Sequence, residues 1–262
     1  MQRIKRNLVL LVSSLLLLLI WQAGSMLLDS QILLPGIPPV VHALRTLIAQ
    51  PPFAHNILAT ALRALQSFLI IVFSATVVGV LAGRYDYVSI ALRPFVTTVK
   101  AIPVMSIILL AFIWFSSGTV PLFSAFLMGF PVMYVQIEMG VRQLDHNLEE
   151  MCSLYDFRFS DKLVHFVIPS MTSWFIAGSR TALSMVWKVV IAAEVLTVPQ
   201  YGVGARMQLA QVQLQTDLVL SWTLIAILLT AVGDLLFDAL VLCCARLKRL
   251  LDARGVPCSS SR

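Results

Sequence analysis

Charged side chains are scarce in this chain: only 12% of its 262 residues are charged, whereas 59% are hydrophobic. A mean hydropathy of +0.89 lies far from that of a soluble domain and is typical of a polytopic membrane protein. The net charge of +6 comes from basic residues scattered over the ends and short loops rather than gathered on one face. The composition therefore argues against a soluble enzyme and against a nucleic-acid-binding protein.

Cysteine and histidine are also sparse, with 4 of each. The cysteines fall in or beside segments that we expect on the cytoplasmic side, where thiols stay reduced, so they indicate no disulfide framework. The histidines are isolated, with no cysteine or carboxylate at ligand spacing, and we expect neither a metal site nor a cofactor. The sequence also lacks a G-x-x-x-x-G-K-[ST] phosphate loop, so ATP hydrolysis is expected in a separate chain.

Apolar runs dominate what is present, and each is near the roughly 20 residues that a helix needs to cross a bilayer. We predict an all-α polytopic membrane bundle that forms a single domain over residues 1–262, with six spans at about 7–28, 59–83, 95–115, 120–139, 174–196 and 218–244. The first run is longer than the apolar core of a signal peptide and has no clear cleavage site, so we interpret it as an uncleaved span.

Two features inside the predicted spans indicate how the helices are shaped and packed. Pro103 and Pro131 interrupt apolar runs and are expected to kink the helices in which they lie. Ala75, Gly79 and Gly83 recur at every fourth position, which predicts a stripe of small residues on one helix face. Such a stripe allows a neighbouring helix to approach closely.

The distribution of positive charge predicts the orientation of the chain. Most arginines and lysines lie before the first span, in the loops after the second and fourth spans, and in residues 245–262. By the positive-inside rule both termini are cytoplasmic, and residues 245–262 form a basic tail at the lipid headgroups. On the outer side, the amphipathic stretch 40–48 lies between proline-rich turns and predicts an interfacial helix.

A polar island at residues 142–170 separates the fourth and fifth predicted spans. It predicts a short helix, a turn near Asp156 and a second helix that ends before Pro169. Charge alone favours no more than a solvated loop, because the loops of membrane bundles are commonly charged. The spacing of the residues is more specific. Three residues separate the tripeptide that begins at Glu150 from Asp156, and nine more separate Asp156 from Phe166. One further residue separates Phe166 from the pair Ile168 and Pro169.

This spacing resembles the cytoplasmic signature of bacterial ABC importer permeases, which is Glu-Ala-Ala, three residues, Gly, nine residues and Ile-x-Leu-Pro. Met151 and Cys152 stand at the two Ala positions, and Asp156 stands at the Gly position. The likeness covers much of the chain from residue 34 to 204, including LLPGIPPVVHAL, KAIPVMSIILLAFIWF and FPVMYVQIEMGVRQLD. The chain is similar to permeases of the nitrate, sulfonate, taurine and bicarbonate group, whose landmarks it matches at Arg180, Trp187, Glu194, Gly202 and Gly204.

The resemblance implies a type I ABC importer permease of the bacterial inner membrane. Such a subunit translocates a small solute by alternating access, here an anion of the group above or a thiamine-precursor-like molecule. The implied partners are a cytoplasmic ABC ATPase, an extracytoplasmic solute-binding protein and a second permease copy, more often an identical one than a different one. The island then supplies a coupling helix that docks on the ATPase through Glu149, Glu150, Met151, Cys152, Asp156, Phe166, Ile168 and Pro169.

Polar residues inside the spans form a second group of candidates, because ionisable side chains at membrane depth are costly and commonly functional. One interpretation is a translocation path or gate made by Arg180, Ser184, Trp187, Lys188 and Glu194, the first four of which share a helical face. Glu194 fits a structural ion pair equally well, and its partner must then lie on another helix, because Lys188 does not share its face. Arg180 and Lys188 can also extend toward opposite ends of their helix.

Asp234 and Asp238 lie one helical turn apart in the last predicted span. They fit either a proton or cation site or pairing with a neighbouring helix, and we favour the pairing. Together with Glu194 they define the alternative to an ABC permease, which is an ion-coupled secondary carrier or a channel. Since no internal repeat is detectable, the sequence gives an inverted-repeat carrier no support.

Overall fold

The computed structural model describes residues 2–28, 30, 32–145, 150–151, 154–155 and 159–254. The secondary structure of these residues is helical, without a strand among them, as expected for an all-α bundle. The helices are α1 (Gln2–Leu28), α2 (Ile37–Ala49), α3 (Pro52–Arg84), α4 (Asp86–Ala101), α5 (Val104–Trp114), α6 (Val120–Arg142), α7 (Phe159–Lys162), α8 (Ile168–Thr197), α9 (Val203–Val212) and α10 (Thr216–Arg254). A π-helical turn, Leu163–Val167, joins α7 to α8.

Four of these helices are long and apolar enough to cross a membrane: α3, α6, α8 and the Thr216–Arg246 part of α10. The pair α4 and α5 adds a fifth crossing if its two bent halves form one span. Helix α1, Gln2–Leu28, covers the first predicted span. The polytopic helical bundle is therefore confirmed, while the count of six spans stays a prediction.

The third predicted span, residues 95–115, is not one kinked helix but a broken pair. Helix α4 ends at Ala101, α5 begins at Val104, and their axes are bent by 103°. The cause is Pro103, whose ring disfavours helical backbone at the preceding residue; Ile102 is accordingly extended, with a ψ of 131°. Pro131, by contrast, lies inside the continuous helix α6.

The prediction that the second helix of the island ends before Pro169 is wrong. The chain passes from α7 through the π-helical turn into α8 without leaving helical backbone. In this turn the amide of Ile168 donates to the carbonyl of Leu163, five residues earlier. The wider turn lies just before Pro169, whose ring would clash with the carbonyl four residues earlier in an ordinary α-helical turn. One helical rod therefore joins the island to the fifth span.

Two other boundaries differ from the sequence-based expectations, and one predicted helix is present. Helix α3 begins at Pro52 rather than near residue 59, because prolines suit the first turn of a helix. Helix α10 continues to Arg254, so most of the predicted basic tail is helical; the tail contains good helix formers and no glycine or proline before residue 255. Residues 255–262 lie outside the described part. The predicted helix at 40–48 is present as α2, whose inner face buries Val40, Ala43 and Leu47.

The core of the bundle is the packing of α6 between α3 and α8. The predicted stripe of small residues on α3 faces α6, which confirms its role in close packing. A Cβ on Gly79 would lie 2.8 Å from the side chain of Ile137, and one on Gly83 would collide with Val141. Ala75, one turn earlier, is fully buried. In lipid, where apolar burial does not drive helices together, such close approach supplies the packing energy.

Candidate functional site

Glu194 lies near the end of α8 with no solvent exposure, and three helices meet at its carboxylate. Arg63 of α3 forms an ion pair with it, with 2.6 Å between Nη1 and Oε1. The hydroxyl of Thr60 donates to Oε2 at 2.8 Å. The backbone amide of Gly204, in α9, donates to the same oxygen at 3.1 Å. A buried charge is tolerated when it is both paired and hydrogen-bonded, and this carboxylate is both.

One face of α3 holds the connection between α8 and α9. Asn56, Thr60 and Arg63 lie at i, i+4 and i+7 and therefore project from the same side of the helix. Asn56 Oδ1 accepts from the amide of Gly202 at 3.1 Å, and the Thr60 hydroxyl accepts from the amide of Val203 at 2.9 Å. We refer to the following residues as the Glu194 cluster: Asn56, Thr60, Arg63, Glu194, Gly202 and Gly204.

Arg63 extends the cluster to the connection between α5 and α6. Its Nε donates to the carbonyl of Gly118 at 3.1 Å, and its Nη1 also donates to the carbonyl of Tyr201 at 2.8 Å. Thr197, in the last turn of α8, donates to the carbonyl of Ser117 at 3.2 Å. Sequence reasoning correctly placed the partner of Glu194 on another helix but did not single out Arg63. A signal for it was present, since an arginine inside an apolar run is itself a site candidate.

Gly202 and Gly204 allow the backbone to close over the Glu194 carboxylate. A Cβ on Gly202 would lie 2.7 Å from an oxygen of that carboxylate. A Cβ on Gly204 would lie 2.7 Å from the Glu194 Cβ and would overlap the carbonyl of Ile191. The requirement is space rather than an unusual backbone angle, because no described glycine has left-handed backbone. This close approach gives two of the sequence landmarks a physical reason.

A second charged pair joins α8 to α10. Arg180 Nη2 lies 2.6 Å from Asp238 Oδ1, and the side chains are 59% and 45% exposed on the single chain. The pairing with a neighbouring helix that we favoured for Asp238 is therefore confirmed. Asp234, one turn earlier, lines a cavity of about 660 Å³ together with Lys188, between α8, α9 and α10. Its Oδ1 is buried and has no hydrogen-bond partner among the described residues.

The four residues predicted to share a face of α8 differ in their surroundings. Arg180 and Lys188 are exposed, Ser184 is half-buried, and Trp187 is buried. The Trp187 ring occupies the space over Gly233 of α10, where an added Cβ would lie 2.6 Å from it. Arg180 and Trp187 contact α10. The part of all four residues in a translocation path stays a prediction.

Three of the predicted coupling residues lie outside the described part of the chain: Glu149, Cys152 and Asp156. Of the others, Glu150 and Met151 are exposed. Phe166, in the π-helical turn, is buried at 9% exposure, whereas Ile168 two residues later is 52% exposed. Pro169 is half-buried. The end of the helical rod therefore has one side against the bundle and one side open to a partner.

Comparison with protein families matches residues 75–245 to the family described as binding-protein-dependent transport system inner membrane component. The chain belongs to this family. A protein of Brucella melitensis named as an ABC transporter permease is 29% identical over 181 residues, which are 69% of this chain and 73% of the relative. A protein of Bacillus subtilis named as an aliphatic sulfonates transport permease is 25% identical over 225 residues, or 85% and 79% of the two chains. A nitrate import permease of Synechococcus elongatus is 23% identical over 189 residues, 68% of each chain.

Membership of the family confirms the resemblance first recognised in the spacing of the polar island. The chain is thus a multi-pass permease of the inner membrane, of the kind that serves ABC transporters. Glu194, Gly202 and Gly204 lie within the residues matched to the family, whereas Asn56, Thr60 and Arg63 precede them. The α3 half of the Glu194 cluster therefore lies outside the part of the chain that the family match covers.

Proposed function

We propose that this chain is the translocating subunit of an ABC importer for a small anion, which works by alternating access driven by a separate ATPase. Relatives named for sulfonates and for nitrate support an anionic substrate. The family description supports delivery of that substrate by a solute-binding protein outside the membrane. In this proposal two copies of the chain enclose the path, and both termini and the island at residues 142–170 face the ATPase in the cytoplasm.

The observation that carries the proposal is the unbroken helical rod from the island to the Glu194 cluster. Helix α7, the π-helical turn and α8 follow one another without a gap, from Phe159 to Thr197. The distance along this rod from Phe159 to Glu194 is about 50 Å at the helical rise per residue. In the proposal, a displacement of the island therefore moves the opposite end of α8, where Glu194 contacts α3 and α9.

The Glu194 cluster has the properties of a gate at that end. Its contacts are short, directional and polar, so they hold α8, α3 and α9 in one arrangement and are lost together when α8 moves as a rigid body. In the proposal, closure of the ATPase moves the rod, and the cluster changes between its bound and released arrangements as access alternates.

Replacing Glu150 and Asp156 together with Ala is expected to weaken ATPase binding and to abolish ATP-driven uptake, because both side chains belong to the motif that contacts the ATPase in the proposal. The measurements are copurification of the ATPase with the tagged full-length permease, and uptake of labelled sulfonate and nitrate into proteoliposomes. Asp145→Ala is the matched control, since it removes a carboxylate from the same polar segment but outside the motif, and it is expected to leave both readouts unchanged.

The same proteoliposomes separate the proposal from an ion-coupled carrier. Uptake by the unaltered complex is expected to need ATP on the side of the membrane where the ATPase is bound. It is also expected to continue when ionophores collapse the ion gradients. Uptake that persists without ATP and stops with the ionophore would contradict the proposal and favour a carrier. Unchanged ATPase association in the double Ala variant would remove the coupling role of the island.

A further inference from the structure

A polar cavity of about 420 Å³ lies between α4 and α6, apart from the Glu194 cluster and from the contact between α8 and α10. It begins beside the first turns of α4 and the last turns of α6, at the end of the bundle from which the polar island emerges. Its polar lining comes from both helices: Ser89, Arg93, Thr97 and Lys100 of α4, and Tyr134 and Glu138 of α6. No function proposed above uses these residues.

The basic residues of the cavity lie on one face of α4. Arg93, Thr97 and Lys100 lie at i, i+4 and i+7 of α4 and therefore share one face of it. Their Cα atoms span about 10 Å along the helix axis, and long arginine and lysine side chains can both reach a group placed between them. The hydroxyl of Thr97 lies on the same face between the two cations.

The cations of the cavity form no ion pair with any residue that the structure describes. Within the part of the chain that the structure describes, no ion pair or hydrogen bond joins Arg93 or Lys100 to another group. The nearby carboxylate of Glu138 already accepts from the hydroxyl of Ser89 at 2.6 Å and from Arg142 Nε at 3.2 Å. Arg142 has a second acidic partner in α4, Asp86, at 2.8 Å. Glu138 and Asp86 are thus both paired with Arg142 rather than with Arg93 or Lys100.

Two exposed cations on one face of α4 line the same cavity and favour an anionic partner, because opposite charges attract. A guanidinium offers two parallel N–H donors that fit the oxygens of a sulfonate, nitrate or phosphate group, and an ammonium and a hydroxyl add further donors. The buried ring of Tyr134 closes the inner wall of the cavity. The space and the donors together suit a small oxyanion.

We propose that Arg93, Thr97 and Lys100 form an oxyanion-binding site between α4 and α6. The oxyanion has two chemical sources, a free small anion in passage through the protein or the phosphate headgroup of an anionic lipid. The proposed site is tested by anion or lipid binding and not by uptake. Its failure would therefore leave the import function proposed above untouched.

The test measures binding to the full-length chain and its Arg93→Gln/Lys100→Gln variant. In one arm, lipid-depleted protein in an uncharged detergent is titrated calorimetrically with sodium sulfate, sodium nitrate and sodium methanesulfonate. In the other arm, protein in nanodiscs of phosphatidylcholine with or without phosphatidylglycerol is released into native mass spectrometry, which counts retained lipids. The double variant is expected to bind the small anions, or to retain phosphatidylglycerol, roughly tenfold more weakly or worse than the unaltered chain, because both charge-assisted contacts are lost.

Two further variants serve as controls for this experiment. Arg45→Gln removes one exposed arginine of α2 that does not line the cavity, and is expected to change neither arm. Arg93→Lys/Lys100→Arg keeps both charges and is expected to retain most of the binding; if the double Gln variant does not fold, the two single Gln variants replace it. Loss in the first arm assigns the site to a free anion, and loss in the second assigns it to a lipid headgroup. Equal binding by the double Gln variant and the unaltered chain in both arms overturns the proposal.

Discussion

Glu194→Gln is expected to lower the free energy of unfolding by about 3–5 kcal/mol, the usual cost of removing one partner from a buried ion pair. The glutamine has nearly the same shape, so the loss is one of charge rather than of volume. Arg63, with only 16% of its side chain exposed, then keeps its charge without a carboxylate. The measurement is detergent-induced or thermal unfolding of the purified chain, followed by circular dichroism.

The matched control for this variant is Asp86→Asn, which breaks a pair of similar length in a different environment. Asp86 and Arg142 are separated by 2.8 Å, with 76% and 40% of their side chains exposed. A pair so accessible is screened by solvent and adds little to stability, so the control is expected to unfold close to the unaltered chain. Equal destabilisation by the two variants would contradict the view that burial makes the Glu194 pair important.

Uptake measured per folded complex distinguishes a gate from a purely structural pair. If Glu194 is part of a gate, the Glu194→Gln variant loses ATP-driven uptake under conditions where it is still fully folded. If the pair is only structural, uptake per folded complex stays unchanged. A second variant, Arg63→Met/Glu194→Leu, removes both charges and is expected to recover only part of the lost stability, because the amide of Gly204 then has no acceptor.

The sequence carried enough information to predict half of this cluster. An acidic residue in an apolar helix is costly, so Glu194 was a candidate by physical argument alone, and its partner was expected on another helix. The partner itself is separated from it by 131 positions in the chain. Nothing local connects two such positions, because only the packing of α3 against α8 and α9 brings them together. Glu194 could therefore be predicted from the sequence, whereas the identity of its partner could not.

The two prolines near helix ends show why local signals predict some boundaries and miss others. At Pro103 the ring disfavours a helical preceding residue, and the third span breaks there, more sharply than the expected kink. At Pro169 the same rule predicted an end to the helix, but a π-helical turn accommodates the proline and the helix continues. The rod that carries the coupling proposal therefore became visible only in the structure.

Gly204→Ala is expected to be the most disruptive single-methyl change in the Glu194 cluster. The new Cβ would overlap the carbonyl of Ile191 and lie 2.9 Å from the amide nitrogen of Val195, both of which are backbone atoms of α8. Backbone atoms inside a helix cannot move aside as the end of a flexible side chain can. Helix α9 must then shift away from α8, which lengthens the hydrogen bond from the Gly204 amide to Glu194. Overpacking of this kind costs about 1–3 kcal/mol, and the lost hydrogen bond adds about 1–3 kcal/mol for a buried group.

The chain offers a matched control in Gly118→Ala. Gly118 belongs to the same region, since its carbonyl accepts from Arg63, but a Cβ added to it would meet no atom within 4 Å. Its backbone is not left-handed, so alanine fits without strain and is expected to leave the unfolding midpoint unchanged or to raise it slightly by restricting the unfolded chain. Unfolding of the two variants by the same detergent titration compares them directly. If Gly204→Ala and Gly118→Ala have the same unfolding midpoint, the close approach of α9 to α8 is not needed for stability. The stability of the cluster then depends on the ion pair alone.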